Sequence, residues 1–484
     1  MYSLSQHIDL NKIFLVQFSE LQGRIDPFYY NHEFNKYEKI LARKPFKKFR
    51  YLIKSINNGF DFRDYKEIGT PYLKVANIKQ GELDFTKIQY VDFNSSEISK
   101  NIQLKKGNLL LTRKGTFGNT FAIDKDYDFV ISSEVFYIEL KDNSIHPKFL
   151  EIFFNSKIGQ TQFDKNKIGA IMGSLSQEAI RELMIPIPLL DIQEKIINIY
   201  QTAYHRKQQY ETQAQALLTS IDDYLLGELG INMPTENDVD GIVSYQGFEL
   251  NKQNSLVKKG RLFLTEFGEV ADERLDPEYY STSNKNNKTA IKQAKFPLKK
   301  ISSNCVFQTG YAFKSEDYIN ESDCRLITIK NISKNTVLLN DCTYLPNDYF
   351  ILFEKFQIRK NDLLIAMTGA TIGKVGVYED DKKALLNQRN GIIRSDTINT
   401  FWLMNLLNTE LYQSLIIRNA VGGAQPNISE TSITKLHIPF PPIEKQNEIA
   451  SYISKIRQQA QSLQKESIQI LQQAKEQIDK MILE

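Results

Sequence analysis

Through most of its length the chain alternates short apolar runs with clusters of Gly, Asn and Asp, and twice this rhythm gives way to a longer-period pattern. The runs Tyr72 to Ile78, Asn108 to Thr112 and Val130 to Leu140 carry β-branched and aromatic residues between turn formers, which predicts strands. Arg325 to Ile332 and Asp362 to Met367 read the same way. Each strand-rich stretch closes on two prolines, Pro186 with Pro188 and Pro439 with Pro441, which lack backbone donors and cannot continue a sheet interior or a helix. Helical spacing follows. Ile449, Ile453, Ile456, Ala460, Leu463, Ser467, Ile470 and Ala474 advance in alternating steps of four and three, the seam of a coiled coil. Ile196, Tyr200, Ala203, Lys207, Tyr210, Ala214, Leu217 and Ile221 repeat that stripe at the same phase.

The shared stripe belongs to a larger duplication with an offset near 250 residues. Phe14-Leu15-Val16-Gln17-Phe18 answers Phe263-Leu264-Thr265-Glu266-Phe267, and Arg24-Ile25-Asp26-Pro27 answers Arg274-Leu275-Asp276-Pro277. Asn77-Ile78 answers Asn331-Ile332. Leu109-Leu110-Leu111 leading to Gly115 and Gly118 answers Leu363-Leu364-Ile365 leading to Gly369 and Gly373. Ile185-Pro186-Ile187-Pro188 with Gln193 beyond answers Ile438-Pro439-Phe440-Pro441 with Gln446 beyond. Five collinear matches mean two copies of one unit.

The predicted fold class is α+β: two tandem β-rich domains, residues 1–188 and 259–441, each followed by a long helix, residues 189–228 and 442–484, with a linker over 229–258. About two apolar positions in seven make a narrow stripe, which favours one long partner. The nearest partner is the other helix. Antiparallel pairing through Ile196, Tyr200, Ala203, Tyr210, Leu217 and Ile221 against Ile449, Ile453, Ile456, Leu463 and Ile470 would put the domains at opposite ends of a dumb-bell. Roughly forty helical residues reach on the order of 60 Å.

Composition narrows the class without naming a function. The 484 residues are 41% hydrophobic and 11% aromatic, enough for separate cores, and no run is long and apolar enough to span a bilayer. Met1 to Leu10 does not read as a signal peptide, so a cytoplasmic location is expected, with no membrane partner. Cys305, Cys324 and Cys342 are odd in number and widely spaced, which predicts reduced thiols. A net charge of +3 announces no global attraction to nucleic acid, so any such binding must rest on local basic groups.

The order of these segments, together with Gly310-Tyr311-Ala312-Phe313-Lys314-Ser315, Gly369 to Gly376 and Gly422 to Ser429, resembles the specificity subunits of type I restriction-modification systems over nearly the whole chain. The resemblance implies that each domain reads half of a split DNA target, that the helices set the spacing, and that the chain itself catalyses nothing. It also implies the partners: double-stranded DNA, two methyltransferase subunits and restriction/translocase subunits. S-adenosylmethionine would then sit on the methyltransferase and ATP with Mg on the restriction partner, leaving this chain without a cofactor. The first domain departs from the pattern, with Gly59-Phe60-Asp61-Phe62 where the second carries the fuller Gly310 motif.

Other motifs weigh against a catalytic alternative, a self-contained methyltransferase or nuclease. Asp26-Pro27-Phe28-Tyr29 and Asp276-Pro277-Glu278-Tyr279 resemble the Asp-Pro-Pro-Tyr of amino-methyltransferases but lack the second proline, and no Gly-rich cofactor loop precedes them. Gly369 to Lys374 is one residue short of a phosphate-binding loop, and Val375 replaces its hydroxyl. Glu139-Leu140-Lys141 is half of a nuclease signature and better read as a strand end. His7, His32, His146, His205 and His437 form no metal-binding pair, so no metal site is expected. Candidate DNA contacts are the polar residues flanking the strands: Lys74, Asn77, Lys79, Arg113, Lys114 and Thr116 in the first copy, with Lys314, Ser315, Lys330, Lys374, Gln388 and Arg389 in the second.

Overall fold

A computed structural model of the chain describes residues 13, 15–21, 27–43, 45–92, 103–141, 144–169, 173–233, 279, 282–420 and 426–483. They form two compact units, Met1–Thr212 with Leu463–Glu484, and Gln213–Ser462. The architecture is α+β.

In the first unit a four-stranded antiparallel sheet runs in the order Ile53–Asn58, Val135–Leu140, Leu109–Thr112, Thr120–Ala122. Its two central strands are apolar at nearly every position because both faces are covered. Leu109, Leu111, Phe136 and Ile138 join the core under the helices, while Leu110, Val135 and Tyr137 join the core against a second sheet. That second sheet is Gln89–Val91, Thr70–Leu73 and Val130–Ile131, the last two parallel.

The second unit repeats this plan. Val306–Thr309, Asn390–Arg394, Leu363–Ala366 and Val375–Val377 form its antiparallel sheet. Leu363, Ile365 and Ile393 turn to the helical side, and Leu364, Ala366 and Ile392 to the other. Its second sheet has one more strand, in the order Thr343–Leu345, Cys324–Ile327, Ala384–Leu386, Gln357–Ile358. In each unit the proline segment closes the domain as a two-stranded ladder, Met184–Pro186 on Phe46–Lys48 and His437–Pro439 on Leu298–Lys300. Proline is tolerated there because it is the last residue of a short edge strand.

The spacing of proline and glutamine has a physical cause. Gln193 is 1% exposed; its Oε1 accepts the His146 N–H at 2.8 Å and its Nε2 donates to the Pro188 carbonyl at 3.0 Å. Gln446, fully buried, does the same with the Asn399 N–H and the Pro441 carbonyl, both at 2.9 Å. Each glutamine ties the start of a long helix to the helical layer of its own domain.

The long helices run Leu190–Glu228 and Ile443–Leu483. In the first unit Ile196, Ile197 and Tyr200 share a core with Ile478 and Ile482. In the second, Ile221, Leu225, Leu226 and Leu229 share one with Ile449, Ile453 and Ile456. Ala203, Ala214, Ala460, Ser467 and Ala474 are also buried, whereas Tyr210, Leu217, Leu463 and Ile470 are half-buried. Burial therefore follows the alternating steps of four and three.

Polar groups flank the first of these cores. Lys475 donates to Gln80 at 3.3 Å, and one carboxylate oxygen of Asp479 is buried without a hydrogen-bond partner among the described residues. Burial pushes the Asp479 carboxyl up to about 6, against the opposing pull of Lys157 and Lys475.

Replacing Gln446 with Ala leaves the half-buried Asn399 N–H and the buried Pro441 carbonyl without this partner, and is expected to lower stability by about 1–3 kcal/mol in urea unfolding. Glu444→Ala, on the exposed face of the same turn, should stay within about 0.5 kcal/mol. The Asp479 proton is held more tightly in the native state than in the unfolded one. The contribution of Asp479 to stability should therefore be fully present below the ordinary carboxylate range and be lost as pH rises through about 6. Asp479→Asn should flatten that slope and gain about 1 kcal/mol at neutral pH, after allowance for solvent screening, in unfolding titrations across pH.

Candidate nucleic-acid interface

The surface begins where the chain crosses from one sheet to the other. A Cβ at Gly59 would lie 1.9 Å from the Ile131 carbonyl oxygen, and one at Gly310 would lie 2.0 Å from that of Asn387, so no side chain fits at either crossing. Beyond them Phe60 donates its N–H to the Ile131 carbonyl at 2.9 Å and Tyr311 donates to Leu386 at 3.0 Å. Gly59-Phe60-Asp61-Phe62 thus occupies the place of Gly310-Tyr311-Ala312-Phe313, and the first copy is a variant of the motif. Phe60 and Phe62 pack around Tyr72, whose hydroxyl donates to the Phe60 carbonyl at 2.8 Å. Tyr311 and Phe313 pack against Phe353, with ring centroids 4.8 and 5.0 Å away.

Next to this crossing lie two turns and a returning segment. Arg113 donates its N–H to the Glu134 carbonyl and accepts from the Leu175 N–H, both at 2.9 Å. Met367 does the same with Arg389 and Ile428 at the same distances. Gly115 and Gly369 take left-handed φ values of 65° and 74° at the open ends of the turns. At Gly118 and Gly373 the turn closes against the helical layer, where a Cβ would come within 2.9 Å of Phe163 and 3.0 Å of Ile416. The glycines near Lys374 therefore serve a strand-to-strand turn.

In the first unit the turn gathers Arg113, Lys114 and Thr116. Lys114 and Thr116 are exposed, and the half-buried Arg113 guanidinium lies 5.1 Å from the Phe136 ring centroid. In the second unit Lys330, Gln388 and Arg389 are exposed around the Gly369 turn, where the Thr371 hydroxyl donates to the Ile329 carbonyl at 3.3 Å. Lys314 and Ser315 are exposed on the loop after Phe313, and Lys374 is half-buried at the start of the next strand. Lys114, Lys314, Lys330 and Arg389 have no ion-pair partner among the described residues. Lys74 lies over the Tyr65 ring at 4.2 Å, and Lys79 sits on a separate hairpin, 3.9 Å from Asp84.

Asn77 departs from expectation. It is 5% exposed; its Oδ1 accepts the Lys74 N–H at 3.0 Å and its Nδ2 donates to the Asp84 carbonyl at 2.9 Å. Asn331 bonds the same way to Thr328 and Leu338, both at 3.0 Å. The Asn-Ile block recurs because it closes a tight turn, so Asn77 has no free amide edge for a base.

Two further duplicated amides escaped the sequence. Asn155 accepts from and donates to the Thr120 backbone at 3.0 and 2.7 Å, and Asn408 treats Val375 likewise at 3.2 and 2.7 Å. Gln160 donates to the carbonyls of Gly118 and Phe154, and Gln413 to those of Gly373 and Leu407. Their signal was recurrence about 250 residues apart.

Among the described residues, those of the motifs of possible chemistry make structural contacts. Glu139 pairs with Lys54 at 3.3 Å, and in the second copy Arg394 pairs with Asp362 at 2.6 Å. The Tyr29 ring lies 4.3 Å from Lys165 and the Tyr279 ring 4.0 Å from Lys288; Asp26, Asp276 and residues 421–425 lie outside the described residues. The cysteines are unpaired, and burial pushes the thiols of Cys305 and Cys324 up to about 11. No cluster of three or more His, Cys, Asp or Glu among the described residues could hold a metal ion.

The chain thus carries a duplicated two-sheet domain that presents polar and cationic turns in each copy. Residues 24–219 and 299–473 match the family model of the type I restriction modification DNA specificity domain, and the chain belongs to that family. It is similar to the type I restriction enzyme MjaVIII specificity subunit of Methanocaldococcus jannaschii, 21% identical over 422 residues, covering 85% of each chain. The EcoBI specificity subunit of Escherichia coli is also 21% identical, over 86% of this chain and 79% of its own. A solved chain from a study of complex assembly and conformational transition in a type I R-M system aligns over 90% of this chain and 96% of its own, with a TM-score of 0.53 and 14% identity. No helix among the described residues is long and apolar enough to cross a membrane.

Lys114→Ala and Lys330→Ala should each weaken binding to duplex DNA of any sequence and reduce the slope of log affinity against log salt by about 1. Asn77→Ala should instead cost about 1–3 kcal/mol of stability and leave sequence preference unchanged, as measured by thermal unfolding and competition binding.

Proposed function

We propose that this chain is the DNA-specificity subunit of a type I restriction-modification enzyme, in which each domain reads one half of a bipartite, asymmetric target. It takes no chemical step itself. One observation carries this reading: the two units keep the same four-stranded sheet, crossings and buried amides while the side chains on their turns differ. Exposed Lys114 and Thr116 stand where the second copy has the buried Thr368 and the exposed Ala370, and half-buried Ser133 neighbours Glu134 where the second copy has the exposed Gln388 beside Arg389. Readers of that kind fit unlike half-sites, because direct readout depends on particular donors and acceptors.

The long helices supply the spacing. Their buried stripes, and the way each shares a core with part of the other in both units, support antiparallel coiled-coil pairing along their length. Two methyltransferase subunits carrying S-adenosylmethionine and restriction subunits using ATP and Mg would assemble on this frame, placing methyl transfer and cleavage on the partners.

Exchanging residues 12–185 for the matching domain of a relative should change one half of the target. The other half and the number of bases between them should stay fixed. Methylome sequencing of cells carrying the hybrid with its methyltransferase reads this directly. A hybrid that altered both halves, or shifted their spacing alone, would overturn the modular reading.

A further inference from the structure

The sharpest difference between the copies lies at one position. Glu134 and Arg389 occupy equivalent places on the tip before the strands Val135–Leu140 and Asn390–Arg394. Glu134 accepts the Arg113 N–H at 2.9 Å through its carbonyl, and Arg389 accepts the Met367 N–H at 2.9 Å. The preceding residue is pinned alike, Ser133 donating to the Phe60 carbonyl at 2.8 Å and Gln388 to that of Tyr311 at 2.7 Å. Both side chains are exposed, and neither has an ion-pair partner among the described residues. The two tips make the same backbone hydrogen bonds, only Arg389 of the pair has a left-handed φ, and the charge is opposite.

Resting on the two-half reading above, we propose that this tip residue is a specificity determinant in each domain, with Arg389 donating to a guanine edge and Glu134 accepting from the amino group of cytosine. Several observations converge. Arg389 is held at φ 66°, a left-handed conformation that is uncommon for a long side chain and persists where its surroundings fix it. Those surroundings are present, since Asn390 is fully buried and its amide donates to the carbonyls of Asn387 and Gln388. The tip is rigid enough to aim a bidentate donor at guanine O6 and N7.

Glu134 poses the opposite problem. A carboxylate on a surface that meets a polyanion is repelled by every phosphate, and it forms no ion pair with Arg113 or Lys114 although its carbonyl holds the Arg113 backbone. A base that presents a donor offsets that repulsion with a directional hydrogen bond, and the cytosine N4 amino group is such a donor in the major groove. An acid at this position therefore rejects sequences lacking it.

The test uses the full chain with its methyltransferase partner and methylome sequencing. Arg389→Ala and Glu134→Ala should each lower discrimination at one base pair of one half-site by about ten- to hundredfold, leaving the other half intact. Glu134→Gln should move that position toward adenine, which a carboxamide reads bidentately. Arg389→Lys, which keeps the charge, should retain part of the guanine preference and shows whether loss follows chemistry or misfolding. Unchanged motifs in both alanine variants would overturn the proposal. So would a uniform loss of methylation at both halves with the thermal transition preserved. Failure of the underlying reading looks different: the unsubstituted complex would then leave no bipartite methylation pattern at all.

Discussion

Everything in each unit depends on satisfying backbone groups that the sheet ladders leave over in a core covered on both faces. A strand crossing between sheets, a strand meeting a helix end and a helix leaving its domain all bury N–H and carbonyl groups with no regular partner. Both copies answer with carboxamides: Asn77 and Asn331 in the tight turn, Asn155 and Asn408 on the edge strand, Gln160 and Gln413 at the helical corner, Gln193 and Gln446 at the long-helix start. A carboxamide offers a donor and an acceptor together, without the desolvation cost of a charge. The residues are polar, yet they behave as core.

That division of labour leaves the turns free to differ. Arg113 and Met367 place the same backbone bonds, as do Glu134 and Arg389; the Met367 side chain is buried in the core and Arg113 lies against Phe136, whereas the exposed side chains of Glu134 and Arg389 are left free to differ. The polar residues fixed by the fold and those open to a ligand are separated within a few residues of each other. This is the physical basis for two domains with one architecture and different surfaces.

The duplication, the long helices and the prolines that close each domain were legible in the sequence because periodicity and proline placement have direct geometric causes; that Pro186 and Pro439 end two-stranded ladders was not. The double burial of the main sheet was legible only as apolar runs; which face meets helices and which meets strands depends on contacts far apart in the chain, as Leu109 and Leu110 illustrate by joining different cores. Recurrence misled at Asn77, where a repeated polar residue signalled a buried turn and not a reader. Glu134 went unnoticed for the converse reason, since a position that differs between copies leaves no mark in a search for what they share.

The first unit draws on two stretches of chain separated by the whole of the second. Its core includes Ile478 and Ile482, which are synthesised long after Thr212. At translation rates of about 5–20 residues per second, the interval between these stretches lasts roughly tens of seconds. During that time the faces of Ile196, Ile197 and Tyr200 that await the second helix stay uncovered on the ribosome. The first unit is thus begun before the second and completed after it, so its core can close only once both stretches have been made.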